Sequence, residues 1–262
     1  SGSRTTMFPL IGNTEKPDIA AAKILEGRVA IITDGTPFVL TAPHLFVESL
    51  QSSEDYYNKP WRSTILRWIR IIALMLSILL PAVYISALTF HLEILPTPLI
   101  ITIAAGREGI PFKPTSEMLL MLLFFEVLKE AGIRMPKHIG MAVSIVGGLV
   151  LGEAAVKAGL VSNPTVMVTA LSGICGFIVM PQDTFVTVAK FTLAILASIS
   201  GLFGVLIGSI MFLINLTGAT SFGVPYFAPI APTLLNDLKD VLIKAPLWKM
   251  RYKPESINFS PK

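Results

Sequence analysis

The sequence has one cysteine and three histidines among 262 residues, which leaves few groups for catalysis or metal binding. A single cysteine, Cys175, excludes an intrachain disulfide and a Cys-x-x-Cys metal site. The histidines, His44, His91 and His138, lie in three separate regions. The sequence also lacks an HExxH, a GxSxG and a P-loop pattern. We therefore expect no enzyme active site, no metal site and no bound cofactor.

Charge is also scarce, at 15% of the residues against 53% hydrophobic residues, and the mean hydropathy is +0.69. Soluble domains carry about 25% charged residues, so this composition predicts an integral membrane protein surrounded by lipid. The net charge of +4 arises from lysines and arginines beside apolar segments. Because a nucleic-acid-binding surface needs a continuous basic stripe, we expect no nucleic-acid partner.

Residues 1–60 are typical of a soluble α/β segment followed by a polar connector. We predict helices at Pro17–Leu25 and Pro43–Gln51, and strands at Arg28–Thr33 and Phe38–Thr41. A unit of about forty residues without a disulfide or a metal seldom folds alone. We therefore expect this segment to be the C-terminal part of a larger soluble domain, or to dock on a soluble partner.

Four apolar runs are predicted to cross the bilayer core, which is about 30 Å thick, as helices. They cover residues 68–88, 139–160, 165–180 and 186–216. The fold class that we predict for residues 61–232 is an all-α polytopic membrane domain with about four spans. Between the first two spans, the short run Pro98–Gly106 predicts a re-entrant or interfacial segment, and the amphipathic helix Glu117–Gly132 predicts an interfacial one.

Two of these spans contain residues that break helices. Pro81 frees the carbonyl four residues earlier, so we expect a kink there and a neighbouring partner for that carbonyl. The run 186–216 is longer than a span needs and contains Gly201, Gly204 and Gly208. We expect this helix to tilt strongly, to protrude, or to hinge at its glycines.

Basic residues close to a span mark its cytoplasmic side. They precede or begin the first span at Lys59, Arg62, Arg67 and Arg70 and recur in the tail, residues 233–262. Both ends of the chain are therefore predicted to be cytoplasmic, which an even number of spans allows. Four spans, however, place Arg134 and Lys137 on the outer side, against this rule.

The span Gly140–Leu160 has two different faces. At 100° per residue, small residues gather on one side and let another helix backbone approach closely. A second GxxxG pair occurs in the last span. The helix-packing candidates are Gly148, Gly152, Ala155, Gly159, Gly204 and Gly208.

The opposite face of this span carries valines followed by two charged residues. The candidates for lining a pore are Val143, Val146, Val150, Glu153 and Lys157. An intramembrane carboxylate is costly against lipid and is therefore a functional candidate, with Lys157 as its partner. The alternative is an i,i+4 ion pair that reaches the headgroups from the end of the helix.

Four stretches of the chain resemble one protein family. They are NTEKPDIAAAKILEGRVAIITDGTPFVL (Asn13–Leu40), EDYYNKPWRSTILRWIR (Glu54–Arg70), FFEVLKEAGIRMPKHIGMAVSIVGGLVLGEAAVKAGLVS (Phe124–Ser162) and SFGVPYFAPIAP (Ser221–Pro232). Together they are similar to the A subunits of GerA-type spore germinant receptors of endospore-forming bacteria. The strings EAGIRMP and SFGVPY are the specific part of the match.

The resemblance implies a protein of the inner spore membrane that acts with B and C subunits to sense nutrients. It also implies that A subunits form a homo-oligomer with an ion-conducting pore, and that a sizeable soluble domain precedes the NTEKPD segment, of which this chain holds only the last part. A ligand-gated ion channel is the expected function. A receptor scaffold or transporter-like subunit that only transmits a signal is the alternative.

Overall fold

A computed structural model describes residues 6–179, 182–241, 243–244 and 254–257. Within helices, the side chains of residues 137–139, 141–143, 145 and 235–236 lie outside this description. The described chain is mostly helical, with a small sheet and a two-stranded ribbon. It divides into two compact units. The first combines Ser1–Ile72, Val179–Phe185 and Met211–Lys262, and the second combines Ala73–Ile178 and Val186–Ile210.

The N-terminal part of the first unit is a helix packed with a three-stranded antiparallel sheet. The elements are β1 (Gly12–Thr14), α1 (Pro17–Leu25), β2 (Val29–Ile32) and β3 (Val39–Ala42), and the strand order is β1-β3-β2. Pro17 begins α1 as predicted, because its fixed φ suits the first helical turn. Strand β1 was not predicted, since three residues are too few to show alternation.

The segment after β3 differs from the predicted helix Pro43–Gln51. It forms a single 3-10 turn at Phe46–Leu50. The predicted connector contains a short helix, α2 (Glu54–Tyr57), and the first residues of α3 (Pro60–Thr89). The first unit also holds a ribbon of β4 (Thr220–Ser221) and β5 (Val224–Pro225), and α9 (Leu235–Leu238).

The second unit contains four helices whose bounds differ from the predicted segments by one to three residues at each end. They are α4 (Thr97–Ala105), α5 (Pro114–Ile133), α6 (Lys137–Lys157) and α7 (Asn163–Ile178), together with parts of α3 and α8 (Asp183–Gly218). Helix α5 packs on α6 and on α7. Among the described residues, α3 and α8 are long and apolar enough to cross a membrane, and α7 is a shorter apolar helix.

Helix α3 continues through Pro81, and the carbonyl that this proline leaves free has a partner. The proline cannot donate to the carbonyl of Ser77. The hydroxyl of Ser172 on α7 donates to that oxygen at 2.8 Å. The prediction of a neighbouring partner for this carbonyl is confirmed. The bond joins α3 to α7 one turn before Pro81.

Helix α8 is two arms rather than one span. Gly201 has φ 61° and ψ −143°, a conformation that favours glycine, and it separates the arms. A Cβ on Gly208 would collide with Leu193, fifteen positions earlier in the sequence and about 22 Å away along a straight helix. The rings of Phe185 and Phe212 have centroids 5.8 Å apart, against about 40 Å along a straight helix. The arms therefore form an antiparallel hairpin, and the single span 186–216 is corrected to two helices.

Candidate functional site

The outward face of α6 consists of Val146, Val150, Glu153 and Lys157. Val146 is 58% exposed and Val150 is 61% exposed. The ammonium of Lys157 lies 3.5 Å from a carboxylate oxygen of Glu153, and both side chains are mostly exposed. The fifth pore candidate, Val143, has a side chain outside the described residues. Four of the five candidates thus lie on one free face at the C-terminal end of the helix.

The small-residue face of α6 packs against helices of the same chain. A Cβ on Gly152 would lie 3.0 Å from Val166 of α7, and one on Gly148 would lie 3.8 Å from Phe125 of α5. Ala155 is buried with Met121 of α5. The stripe is therefore occupied within the chain, which leaves the outward face of α6 for contacts outside it.

Gly159 lies beyond the end of α6 and closes it. Its φ of +67° is left-handed, and the amide of Leu160 donates to the carbonyl of Ala155 at 3.0 Å. This is the Schellman arrangement, in which glycine is preferred because a Cβ is strained there. Nothing lies within 4 Å of the position where a Cβ would be. Gly159 thus ends the helix rather than packing against a neighbour.

Gly204 and Gly208 face the other arm of their own helix. A Cβ on Gly204 would collide with the carbonyl of Leu196, and one on Gly208 would collide with the side chain of Leu193. Both glycines therefore let the arms of the α8 hairpin approach closely. The neighbouring helix that the GxxxG spacing predicted is the preceding arm.

The closest approach between α5 and α6 involves residues that sequence reasoning missed. A Cβ on Gly140 would collide with the carbonyl oxygen of Gly132, so the two backbones touch. The hydroxyl of Ser144 donates to the carbonyl of Leu128 at 3.1 Å, one turn further along. The spacing Gly140-x-x-x-Ser144 is a small-residue pair of the kind that marks close helix contacts, and it could have been read from the sequence.

A buried carboxylate at the beginning of α5 was also missed. Glu117 is fully buried, and Arg107 donates to it at 2.6 Å. The backbone amide and the hydroxyl of Ser162 both donate to its other oxygen at 2.5 Å. Ser162 then bonds to Thr165 at 3.0 Å, and Thr165 bonds to Tyr84 of α3 at 3.1 Å. We call these five residues the Glu117 cluster.

The Glu117 cluster joins three parts of the helical unit. It connects the loop between α4 and α5, the turn between α6 and α7, and helix α3. A buried charge is stable only when it is paired and hydrogen-bonded, and Glu117 has three donors. The arrangement leaves no exposed oxygen for a substrate, so its role is to hold helix ends together.

A second ionic group joins α5 to α8. Glu126 pairs with Lys129 on its own helix and with Lys190 at 3.3 Å, and it accepts a hydrogen bond from Thr187 at 2.9 Å. Glu126 and Glu130 are four positions apart, a spacing that places both on one side of α5. The structure turns Glu126 toward Lys190, which is buried, and only Glu130 is exposed.

In the first unit, Glu48 is the centre of a buried ionic group. Arg28 pairs with one of its oxygens, and Lys23 and His44 lie 2.9 and 3.1 Å from the other. Burial raises the pKa of a carboxyl group, but the His44 hydrogen bond and the Arg28 charge hold the pKa of Glu48 well below its usual value. The charged form of Glu48 therefore stabilises this segment.

Polar contacts join this group to distant parts of the chain. The ring of His44 lies 3.3 Å from the hydroxyl of Ser49. The side-chain amide of Gln182, in the turn before α8, donates to Ser49 and to the hydroxyl of Tyr226, both at 2.8 Å. Burial raises the pKa of Tyr226, which keeps its hydroxyl neutral. These bonds bring the N-terminal segment, the α7–α8 turn and the β4–β5 ribbon into one unit.

A fourth ionic group holds the beginning of α3. Arg70 donates to Asp55 at 2.6 and 3.0 Å, and the buried Arg67 lies 3.0 Å from Asp240. Although burial alone raises it, the pKa of Asp55 is lowered by the hydrogen bond and the charge of Arg70. The hydroxyl of Tyr56 donates to Asp240 at 2.7 Å. These cations are neutralised by carboxylates of the same unit.

No group of three His, Cys, Asp or Glu side chains that could hold a metal ion occurs in the part of the chain that the structure describes. Cys175 is buried in α7 and unbonded. The chemistry of the described residues therefore lies in ion pairs and in the free face of α6.

Comparison with known proteins finds one family and several relatives that match nearly the whole chain. Residues 1–256 match the family described as Bacillus/Clostridium GerA spore germination protein. Spore germination protein KA of Bacillus subtilis (strain 168) is 45% identical over 255 residues, which are 97% of this chain and 47% of the relative. The membrane protein YfkQ of the same organism is 44% identical over 94% of this chain and 48% of its own length.

A relative from another species matches nearly the whole of this chain as well. Spore germination protein GerLA of Bacillus cereus is 40% identical over 95% of this chain and 51% of the relative. The chain thus spans about half the length of the curated relatives it matches. No solved structure matches the chain.

Proposed function

Because the chain belongs to the Bacillus/Clostridium GerA spore germination protein family, we propose that it is a membrane subunit of a spore nutrient germinant receptor. In this proposal it forms a homo-oligomer that conducts ions when a germinant acts, and it works with B and C subunits in the inner membrane of the spore. The relatives support the germination role through their names, spore germination proteins KA and GerLA. Channel activity, assembly and location are our proposals.

We propose six membrane crossings in place of four. Helices α3, α5, α6 and α7 each make one, and each arm of α8 makes another. An arm is about half of the 36 residues of α8 and is about 27 Å long, close to the thickness of a bilayer core. Helix α5 has 20 residues, which is also sufficient. Helix α4, with nine residues, is too short and remains an interfacial or re-entrant segment.

The six-crossing arrangement agrees with the bond between Gln182 and Ser49. Four crossings put the α7–α8 turn on the outer side, away from the cytoplasmic N-terminal segment. A bilayer cannot separate two side chains that share a hydrogen bond of 2.8 Å. With six crossings, Gln182 is cytoplasmic, and Arg134 returns to the cytoplasmic side where basic residues are expected.

The free face of α6 is the observation that supports conduction. Its small-residue face is already packed on α5 and α7, so Val146, Val150 and Glu153 are available to face a central axis in a ring of subunits. A ring of valines can close a pore by excluding water, and a ring of carboxylates favours cations. In this arrangement the valines form the gate and Glu153 lies at its outer mouth.

The non-conducting scaffold is the second candidate, and the Glu153–Lys157 pair favours it. At 3.5 Å the ammonium partly cancels the carboxylate, which reduces any preference for cations. In that case the outward face of α6 contacts lipid or another subunit, and the protein passes a signal without a pore.

Conductance of the full chain in planar bilayers separates the two functions. We expect Val146→Ala to raise the resting conductance by widening the gate, and Glu153→Gln to lower the preference for cations. Met167→Ala on α7 is the matched control, because Met167 is 72% exposed and lies outside the proposed pore. Resting conductance that is equal in Val146→Ala and Met167→Ala would favour the scaffold.

Labelling of single cysteines tests the topology separately. Six crossings place Arg134→Cys on the same side as Lys16→Cys and place Lys157→Cys on the opposite side. Four crossings reverse both assignments, so an impermeant thiol reagent applied to one side of sealed vesicles distinguishes them.

A further inference from the structure

Four basic residues at the beginning of α3 have contrasting surroundings. Arg67 and Arg70 point inward and are paired with Asp240 and Asp55. Lys59 and Arg62 are exposed, and in the described part of the chain neither has an ion-pair partner. The outer pair of cations is therefore available to a ligand.

These two cations line a surface groove of about 660 Å³, together with Tyr57, Trp61 and Ile65. The aromatic rings are largely solvent-exposed, with Tyr57 at 78% and Trp61 at 65%. Tryptophan and tyrosine rings of this kind favour the headgroup level of a membrane. The groove thus combines positive charge with aromatic walls at the end of a helix that is proposed to cross the membrane.

An apolar stripe continues from the groove along the same side of α3. Ile65, Trp68, Ile69 and Ile72 are all exposed, at successive turns of the helix. From Arg62 to Ile72 the helix rises about 15 Å, which is half of a bilayer core of about 30 Å. The order is a cationic end followed by an apolar stripe, Ile65 to Ile72, that rises about 10 Å and so fits within one leaflet. This is the order of charge and hydrocarbon in a phospholipid.

We propose that the groove between Tyr57 and Ile65 binds the headgroup phosphate of an anionic phospholipid, whose acyl chain lies along Ile65, Ile69 and Ile72. Lys59 and Arg62 bind the phosphate, and Trp61 packs beside it. This inference rests on α3 crossing the membrane, as proposed above, and is independent of ion conduction.

Fluorescence quenching of the full chain in lipid nanodiscs tests the proposal. Trp248→Phe leaves Trp61 and Trp68 as the only tryptophans. Brominated phosphatidylglycerol or brominated phosphatidylcholine is then titrated into a zwitterionic background at equal mole fractions. We expect the anionic lipid to quench at a much lower mole fraction than the zwitterionic one.

The double variant Lys59→Ala, Arg62→Ala should weaken the apparent affinity for the anionic lipid about thirty-fold, since each basic residue near an anionic headgroup contributes to binding. The matched control is Lys16→Ala, Lys113→Ala. Both control residues are exposed, and Lys113 precedes the proline that begins α5 just as Lys59 precedes the one that begins α3. The control should leave the affinity unchanged.

Equal quenching by the two lipids would show that α3 lies in the membrane without a headgroup site, and would overturn this inference alone. An equal loss of affinity in both double variants would show non-specific attraction and would also overturn it. Absence of quenching by either lipid would show that α3 is not inserted, and would overturn the crossing of α3 as well.

Discussion

Two glutamates of the helical unit have opposite surroundings. Glu117 is completely buried and accepts hydrogen bonds from Arg107 and from both donors of Ser162. Glu153, on the outward face of α6, is mostly exposed, and its one ion-pair partner among the described residues is Lys157 at 3.5 Å. A carboxylate with every oxygen occupied holds a structure together. A carboxylate with one loose partner is free to interact with an ion or with another subunit.

The first prediction concerns stability. Glu117→Ala leaves the Arg107 guanidinium without its carboxylate inside the unit, and breaking a buried pair from one side costs about 3–5 kcal/mol. We expect the free energy of unfolding of the full chain in detergent to fall by that amount. The control is Glu153→Ala, which should cost less than about 0.5 kcal/mol, because exposed i,i+4 pairs contribute little. Equal losses would show that Glu117 is no more structural than Glu153.

The second prediction extends the comparison to Glu48 in the first unit. Its pKa is lowered in the folded chain by His44, Arg28 and Lys23. The stabilisation by ionised Glu48 is therefore complete above the unfolded value of about 4.3 and is lost as the pH falls toward the folded value. Losing charge-assisted hydrogen bonds of this kind costs about 1.5–3 kcal/mol.

The measurement is the stability of the full chain and of Glu48→Gln from about pH 6 to about pH 3, the range around that unfolded pKa. The difference between the two proteins should shrink as the pH falls, because the advantage of the charged carboxylate disappears. Glu54→Gln, at an exposed glutamate, is the matched control and is measured over the same range. A difference for Glu48→Gln that does not change with pH would contradict the pairing.

The third prediction contrasts two glycines of α6. A Cβ on Gly140 would collide with the carbonyl of Gly132, whereas one on Gly148 would lie 3.8 Å from Phe125. Gly140→Ala should therefore cost about 1–3 kcal/mol through overpacking. Gly148→Ala should be neutral or slightly stabilising, because alanine favours the helix by about 0.5–1 kcal/mol. Equal stabilities of the two variants would contradict the close backbone contact between α5 and α6.

Local patterns in the sequence predicted most of the helices. They also predicted features that single residues determine, such as the beginning of a helix or a broken hydrogen bond. Pro17 marked the beginning of α1, and Pro81 correctly predicted that a neighbour must bind the carbonyl of Ser77. For the last run, a hinge at one of three glycines was one of three alternatives, beside a strong tilt and a protruding end. The backbone angles of the folded chain identify Gly201 as the hinge.

Polar pairs that are distant in sequence were not predictable. Glu117 is hydrogen-bonded to Ser162, which lies 45 positions later in the sequence, and Ser49 is hydrogen-bonded to Gln182, 133 positions later. Each of these residues alone resembles an ordinary loop or helix-end residue, so no spacing rule connects them. These pairs support the six crossings that we propose, whereas the apolar runs of the sequence alone predicted four.

If the outward face of α6 lines a water-filled path, as we propose, its residues should react with a water-soluble thiol reagent. In a Cys175→Ala background, cysteines replace Val146, Val150 or Met75 in the full chain reconstituted in vesicles. Met75 on α3 is 52% exposed, close to the 58% of Val146, so it is a matched lipid-facing reference. We expect cysteines at 146 and 150 to react faster than the one at 75, and we expect an open gate to accelerate their reaction further. Equal, slow reaction at all three positions would place the valines against lipid and contradict the pore.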